Sequence, residues 1–230
     1  MNGTVNPAAA ANIPFPQGIL WDMDGVILDS GDLHYKSWIV AMEKYFPEVE
    51  FNEEIFKLSF GKNNQLAIPS MVGHAVEEEL VEEVSVWKEK LYRDMMHGNI
   101  HFLPGVQALM EAFKAHGIPQ AVGTSAPAFN MEMIRQELHL DEYIDSFISA
   151  VYMPSKPNPT VFLEAAETLN RDPKDCVVFE DAIAGVQAGI NAGAKVIAVT
   201  TTYPHDRLAH ATLVVDRLNE IDFHAWLDGG

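Results

Sequence analysis

The feature that most constrains the fold is a series of short, mainly apolar runs separated by stretches with helical spacing. The apolar runs predict strands at residues 18–21, 118–124, 147–150, 176–179, 196–199 and 213–215. The spacing of apolar residues between them predicts helices at about 106–117, 130–140, 160–169 and 182–192. Strands without polar alternation that alternate with helices are typical of a parallel sheet covered on both faces. We therefore predict an α/β fold with a Rossmann-like core.

Residues 32–97 break this alternation, because only helical spacing occurs there, as in Leu33, Trp38 and Met42. An all-helical segment between the first strand and the rest indicates an inserted domain. We predict a catalytic core of residues 18–31 and 98–230 and a helical cap of residues 32–97. Residues 1–17 contain no basic run, and prolines interrupt their apolar stretch, so we interpret them as a flexible leader rather than a secretory signal.

The composition excludes several classes of function. With 15 Lys+Arg and 33 Asp+Glu, the formal net charge is −18, so the surface repels nucleic-acid phosphates and anionic lipid headgroups. No stretch approaches the roughly 20 apolar residues of a membrane span. Cys176 is the only cysteine, so no intrachain disulfide can form, which suits the cytoplasm. We expect a cytoplasmic protein, favour a monomer, and expect its partner to be a small molecule rather than nucleic acid or membrane.

Polar side chains follow four of the predicted strands. They are Asp22 and Asp24, Thr124 and Ser125, Lys156, and Glu180 and Asp181. The carboxyl ends of parallel strands lie at one edge of the sheet, where such folds bind ligands. The sequence therefore predicts that four carboxylates, two hydroxyls and one ammonium gather at that edge.

Four carboxylates packed together cannot all stay ionised unless a cation joins them, and Mg²⁺ prefers carboxylate and water oxygens. We therefore expect Mg²⁺ as the cofactor. Beside that cation an aspartate can attack phosphorus, a second carboxylate can move a proton, and the hydroxyl and lysine can hold phosphoryl oxygens. Taken singly, each motif is also typical of a solvated turn or a helix N-terminus, but their joint occurrence favours phosphoryl transfer.

The same residues carry a resemblance to a known family. Residues 22–30, which begin Asp22-Met23-Asp24-Gly25, match the first motif of the haloacid dehalogenase superfamily. Thr124 fits the second motif, Lys156 the third, and the Glu-Asp pair at 180–181 with the small residues after it fits the fourth. From residue 18 to about 218 the chain resembles the subgroup of β-phosphoglucomutases and sugar phosphatases, in which a helical cap follows the first motif.

The resemblance implies roles for these residues. Asp22 would be the nucleophile that forms an aspartyl-phosphate, and Asp24 would be the general acid and base. Thr124, Ser125 and Lys156 would hold the transferring phosphoryl group.

The resemblance also implies the Mg²⁺ ligands. Asp22 and Asp181 would ligate the metal through their carboxylates and Asp24 through its backbone carbonyl. Glu180 would be a direct or indirect partner of the metal.

The cap carries the remaining candidates, His34, Lys62 and Asn63. His34 stands where β-phosphoglucomutases also carry a histidine. Lys62 is the only cation in residues 60–65, where a mutase would be expected to have an arginine for its second phosphate, so this stretch is more similar to that of cap-bearing phosphatases. We predict Mg²⁺-dependent hydrolysis of a small phosphorylated metabolite, with sugar phosphates favoured. A β-phosphoglucomutase-type mutase stays open, because the sequence does not show whether the cap excludes water.

Overall fold

The computed structural model describes residues 10, 13–59 and 62–229. Its centre is a six-stranded sheet in the order β3-β2-β1-β4-β5-β6, and all five neighbouring pairs of strands are parallel. The strands are β1 (Gly18–Trp21), β2 (Gln120–Thr124), β3 (Ser146–Ser149), β4 (Cys176–Glu180), β5 (Lys195–Val199) and β6 (Leu213–Val215). The predicted α/β class is confirmed.

Strand β1 lies at the centre of the sheet, between β2 and β4. Trp21 is in register with Val122 on one side and with Phe179 on the other. The chain adds strands outward in opposite directions on the two sides of β1, which makes this position a topological switch point. Crevices for ligands form at the carboxyl ends of the strands at such points.

Helices cover both faces of the sheet. In the core they are α5 (Val106–Ala115), α6 (Ala128–Glu137), α7 (Thr160–Thr168), α8 (Ile183–Asn191), α9 (His205–Leu208) and α10 (Phe223–Gly229). Side chains alternate along β1, so that Trp21 packs in a cluster with residues of α5, α6 and α10, whereas Leu20 packs with residues of α7, α8 and α9. Both faces of the strand are therefore buried, which explains why its sequence is apolar throughout.

We call residues 31–96 the helical insert, and its described residues form four helices between β1 and α5. They are α1 (Gly31–Tyr45), α2 (Glu53–Ser59), α3 (Asn64–Val72) and α4 (Glu78–Met96). The insert has its own hydrophobic cluster, in which Trp38, Ile68 and Val84 are buried. In the described part of the chain, no helix combines the length and the apolarity needed to cross a membrane.

Part of the predicted flexible leader is packed against the core. Residues 1–9, 11 and 12 lie outside the described residues. Ile13, however, is buried, and its carbonyl accepts a hydrogen bond from Trp226 Nε1 (2.8 Å). The ring of Phe15 lies edge-on to those of Phe223 (5.7 Å) and Trp226 (6.0 Å). For residues 13–17 the prediction of a flexible leader is wrong, because α10, for which no helix was predicted, provides an apolar surface.

Candidate active site

The first two candidate catalytic residues lie in the turn that ends β1. The backbone N–H of Asp22 donates to the carbonyl of Phe179 (2.9 Å), which holds Asp22 at the carboxyl edge of the sheet. Gly25 has a φ of 82°, and a Cβ at this position would lie 2.0 Å from Asp181 Oδ2. A glycine is therefore needed for this turn to approach Asp181.

Three of the four carboxylates that the sequence predicts at this edge meet there, whereas the fourth, that of Asp24, contacts Tyr92 and His34. Ligand oxygens of Asp22, Glu180 and Asp181 all lie within 4.8 Å of one another, and all three residues are buried. The Nζ atom of buried Lys156 donates hydrogen bonds to Asp22 Oδ1 and to Glu180 Oε1, the latter at 2.8 Å. When the three carboxylates are ionised and Lys156 is protonated, the cluster has a net charge of −2. One divalent cation would neutralise this charge.

Burial and, after it, the neighbouring carboxylates raise the pKa values of two of these groups. Burial raises the pKa of Asp22 to about 8, with Lys156 opposing the shift and Glu180 adding to it. Burial also raises the pKa of Asp181 well above its ordinary value, and the Glu180 and Asp22 carboxylates add to that shift. A set made only of carboxylate oxygens fits Mg²⁺, which Asp22, Asp181 and Glu180 would hold.

Neighbouring groups fix the orientation of two of these carboxylates. Glu180 Oε2 accepts hydrogen bonds from the backbone N–H groups of Asp181 and Ala182, each at 2.7 Å. A Cβ at Gly185 would lie 1.6 Å from Glu180 Oε1, so only glycine leaves room for that side chain. The hydroxyl of Thr202 donates to Asp181 Oδ2. Thr202 was not identified from the sequence, since it lies in a loop beyond the end of β5.

Asp24 faces the helical insert rather than the carboxylate cluster. Its Oδ1 accepts a hydrogen bond from the hydroxyl of Tyr92 (3.0 Å) and lies 3.3 Å from His34 Nε2. Burial alone would raise the pKa of Asp24, but the interactions with His34 and Tyr92 outweigh it and lower the pKa to about 2. The side chain of Asp24 is therefore ionised and tied to two helices of the insert. Metal ligation by its backbone carbonyl remains a prediction.

Behind His34 lies a buried lysine that the sequence analysis missed. Lys88 Nζ is 2.7 Å from His34 Nδ1 and 3.0 Å from Glu89 Oε1. The ring of His34 stacks on that of Tyr92 with centroids 3.9 Å apart. Lys88 occupies a position of the apolar stripe of α4, between Val84 and Tyr92 at helical spacing. That lysine in an otherwise apolar stripe was the signal that could have identified it.

The predicted phosphate-binding hydroxyls follow β2. Thr124 is buried, and its Oγ1 accepts a hydrogen bond from the backbone N–H of Ala126 (3.0 Å). Thr124 and Ser125 both line the same cleft as Asp22 and Asp24. The structure thus brings the two hydroxyls and the two aspartates to one cavity.

Lys62 and Asn63, the two residues of the stretch 60–65 that were predicted to bind substrate, have different surroundings in the structure. Lys62 lines the cleft, with its Nζ 3.5 Å from Ser70 Oγ. The side chain of Asn63 instead caps α3 by accepting from the N–H of Leu66 (3.3 Å), and it donates to the carbonyl of Met153 (3.4 Å). The Asn63 side chain thus joins the insert to the core, whereas Asn64 lines the cleft. A substrate-binding role for Asn63 stays a prediction. Residues 60 and 61 lie outside the described residues.

The cleft between the sheet edge and the insert has an empty volume of about 630 Å³ with its open mouth included. Its lining from the core includes Asp22, Asp24, Thr124, Ser125, Glu180 and Asp181, and its lining from the insert includes His34, Trp38, Phe56, Lys62, Asn64, Lys88 and Glu89.

Comparison with known proteins identifies the family. A family model described as haloacid dehalogenase-like hydrolase matches residues 19–199, most of the chain. The chain belongs to this family. The resemblance noted from the motifs is therefore confirmed, and the chain is a haloacid dehalogenase-like hydrolase.

Similar proteins include two phosphatases and one mutase. A fructose-1-phosphate phosphatase of Escherichia coli (strain K12) is 30% identical over 192 residues, which cover 79% of this chain and 95% of that protein. A phosphorylated carbohydrates phosphatase of Thermotoga maritima is 28% identical over 77% of this chain and 82% of its own length. The crystal structure of a β-phosphoglucomutase from Clostridium difficile has a TM-score of 0.83 at 24% identity, covering 93% of this chain and 96% of that one. This last similarity shows the fold alone.

Proposed function

We propose that this haloacid dehalogenase-like hydrolase cleaves small phosphate monoesters, with sugar phosphates as its favoured substrates, and that it uses Mg²⁺ and Asp22. The observation that carries the proposal is the buried cluster of Asp22, Glu180 and Asp181 with the Lys156 ammonium against two of the three carboxylates. Two similar phosphatases that act on fructose 1-phosphate and on phosphorylated carbohydrates support the substrate class.

In the first step an Asp22 carboxylate oxygen attacks phosphorus, and the bond between phosphorus and the ester oxygen breaks. Asp24 gives a proton to the leaving oxygen. The pKa of Asp24 is about 2 before substrate binds, and a phosphate dianion placed beside it raises that pKa, so that the carboxyl acquires the proton that it donates. Thr124, Ser125 and Lys156 hold the phosphoryl oxygens in place.

In the second step a water molecule attacks the phosphorus of the aspartyl-phosphate. Asp24 takes the proton of this water, the bond between phosphorus and Asp22 breaks, and inorganic phosphate leaves. Asp22, Asp181 and Glu180 would hold Mg²⁺, which would neutralise charge on the approaching phosphate and in the transition state.

The helical insert would act as a cap over this chemistry, since Lys62 and Lys88 bring ammonium groups, and His34 its imidazole ring, to the cleft. We further propose that the protein is a cytoplasmic monomer whose partner is a small phosphorylated metabolite. A β-phosphoglucomutase-type mutase is the second candidate, because such an enzyme shares the fold.

³¹P NMR of the protein with Mg²⁺ and β-glucose 1-phosphate, seeded with a trace of glucose 1,6-bisphosphate, separates the two candidates. We expect inorganic phosphate to accumulate, and an EDTA control to stop it. Growth of a glucose 6-phosphate signal without inorganic phosphate would contradict hydrolysis and establish a mutase. If β-glucose 1-phosphate is inert, a panel of sugar and polyol monophosphates follows, and no release from any of them would contradict the proposal.

A further inference from the structure

The insert side of the cleft carries charged residues that the proposed chemistry leaves without an assigned task. Lys62, Lys88 and Glu89 line the cleft there, together with Asn64 and the aromatic residue Trp38. Because the proposed chemistry places the phosphoryl group at the sheet edge, this wall would face the rest of the substrate. Its charge therefore decides which leaving groups the enzyme accepts.

Glu89 is held rigidly at this wall. It is 4% exposed, and its Oε1 accepts hydrogen bonds from Lys88 Nζ (3.0 Å) and Asn64 Nδ2 (2.9 Å). Its Oε2 accepts from Asn130 Nδ2 (2.6 Å), and Asn130 Oδ1 in turn accepts from Arg93 Nη1 (2.8 Å). Four donors from two helices of the insert and one helix of the core thus fix one carboxylate, directly or through Asn130.

This carboxylate is ionised. Burial by itself would raise the pKa of Glu89, but the Lys88 ammonium and the hydrogen bonds outweigh it and lower the pKa. The Lys88 ammonium therefore forms an ion pair with Glu89, and it also contacts Nδ1 of the His34 ring at 2.7 Å. An ammonium already paired with a buried carboxylate attracts a further anion weakly, because the net charge of the pair is zero.

A second phosphate on the substrate would meet an unfavourable wall. Among the described residues that line the insert side, Lys62 is the lysine without a carboxylate partner within ion-pair distance. A phosphate dianion near Glu89 would be repelled by its carboxylate and neutralised by at most one ammonium. Hydroxyl groups, by contrast, can donate to the carboxylate oxygens of Glu89 and to the amide oxygen of Asn64, and the Trp38 ring offers an apolar face to C–H groups.

We propose that Glu89 is a specificity-determining residue that restricts the leaving group to neutral, polyhydroxylated molecules and rejects substrates that carry a second phosphate. The proposal rests on the phosphatase function proposed above and narrows its substrate class to monophosphates of sugars or polyols. Glu89 has two effects here. It neutralises the charge of Lys88, so that this lysine attracts a second phosphate only weakly, and its own negative charge repels that phosphate.

The test is the ratio of kcat/KM for a matched pair of substrates, fructose 1-phosphate and fructose 1,6-bisphosphate, measured as inorganic phosphate release with Mg²⁺. We expect the wild-type protein to prefer the monophosphate by at least about tenfold. Glu89→Gln keeps the size of the side chain but removes its charge, and we expect it to lower this ratio about tenfold. Glu83→Gln, on the exposed face of the same helix, is the matched control and should leave the ratio unchanged.

Equal use of the two substrates by the wild-type protein would overturn the inference, and so would an unchanged ratio in Glu89→Gln. If the thermal transition shows that Glu89→Gln does not fold, Lys62→Gln serves instead. Removing the lysine without a carboxylate partner should raise the ratio, and an unchanged or lower ratio would overturn the inference. Failure of the proposed function is distinguishable, because the wild-type protein would then release phosphate from neither substrate nor from p-nitrophenyl phosphate.

Discussion

At the scale of single residues, the charge on a few buried side chains decides how the site behaves. Asp22, Glu180 and Asp181 share one neighbouring ammonium, that of Lys156, so the cluster needs either protons or a cation. These residues could be predicted because each follows a recognisable apolar strand. Lys88 could have been noted because it interrupts the apolar stripe of α4. Glu89 could not, since it lies on a helix with many exposed glutamates, and only the tertiary structure shows that its carboxylate is buried.

Metal removal and pH should act together on stability. In the folded protein the pKa of Asp22 is about 8, whereas in the unfolded chain it has the ordinary aspartate value of 3.8. Without metal, stability should therefore fall as the pH rises between these two values. Mg²⁺ competes with the proton on the Asp22 carboxyl, and fewer protein molecules carry this proton at pH 8 than at pH 5.5. The rise in Tm on adding Mg²⁺ should therefore be larger at pH 8.

Differential scanning fluorimetry with Mg²⁺ or with EDTA measures this effect. The Asp181→Asn variant, which lacks one proposed Mg²⁺ ligand, is compared with the wild-type protein. In this variant the rise in Tm caused by Mg²⁺ should be smaller at every pH. A Tm shift that is independent of pH in the wild-type protein would contradict this description of the cluster.

The assignment of Asp24 predicts a dependence on the leaving group. Asp24→Asn should slow hydrolysis of a sugar phosphate by about 10²–10⁴-fold, because the alkoxide that leaves needs a proton. The loss should be smaller for p-nitrophenyl phosphate, whose phenolate leaves without one. Steady-state kinetics with both substrates provide the measurement, and equal losses for the two would argue against a proton-donating role.

At the scale of elements, contacts between the insert and the core reach the reacting groups directly. Tyr92 of α4 and His34 of α1 both contact the carboxylate of Asp24. A third contact joins the hydroxyl of Tyr203, next to Thr202 in the loop after β5, to the carbonyl of Lys57 in α2. The strands and the longer helices could be predicted from periodicity. The short α10 could not, because seven residues are too few to show a helical period.

The docking of α10 makes a prediction about stability. Trp226 is fully buried, its ring lies edge-on to that of Phe113 at 5.8 Å, and its Nε1 is bonded to Ile13. Trp226→Ala should lower the free energy of unfolding by about 3–5 kcal/mol. Urea unfolding measures the loss, with the exposed His224→Ala on the same helix as the control, expected within about 0.5 kcal/mol of wild type. A loss under about 1 kcal/mol for Trp226→Ala would show that α10 does not dock as described.

At the scale of the whole molecule, an acidic protein is proposed to bind an anionic substrate. The net charge of −18 repels a phosphate ester at long range, and the ammonium groups and the proposed cation attract it only within the cleft. Composition alone predicts this repulsion. The position of the attractive site inside the cleft needed the strand topology, which brings Asp22 and Lys156, 134 residues apart, into contact.

Salt should therefore favour the encounter with substrate. Because added ions screen the long-range repulsion, kcat/KM for a dianionic phosphate ester should rise about twofold between 20 and 200 mM NaCl. Initial rates at constant Mg²⁺ measure this, and the same series with the inert solute sucrose controls for viscosity and crowding. A fall of kcat/KM with salt would indicate an attractive field at the mouth of the cleft and would contradict the prediction.

The central claim is that Asp22 is the nucleophile of a Mg²⁺-dependent phosphomonoester hydrolase. The most direct test compares phosphate release by the wild-type protein and by Asp22→Asn, on p-nitrophenyl phosphate and a panel of sugar monophosphates, with Mg²⁺ and with EDTA. We predict release by the wild-type protein only with Mg²⁺, and a rate at least about 10³-fold lower for Asp22→Asn with an unchanged circular dichroism spectrum. A folded Asp22→Asn protein that releases phosphate at the wild-type rate would contradict the claim.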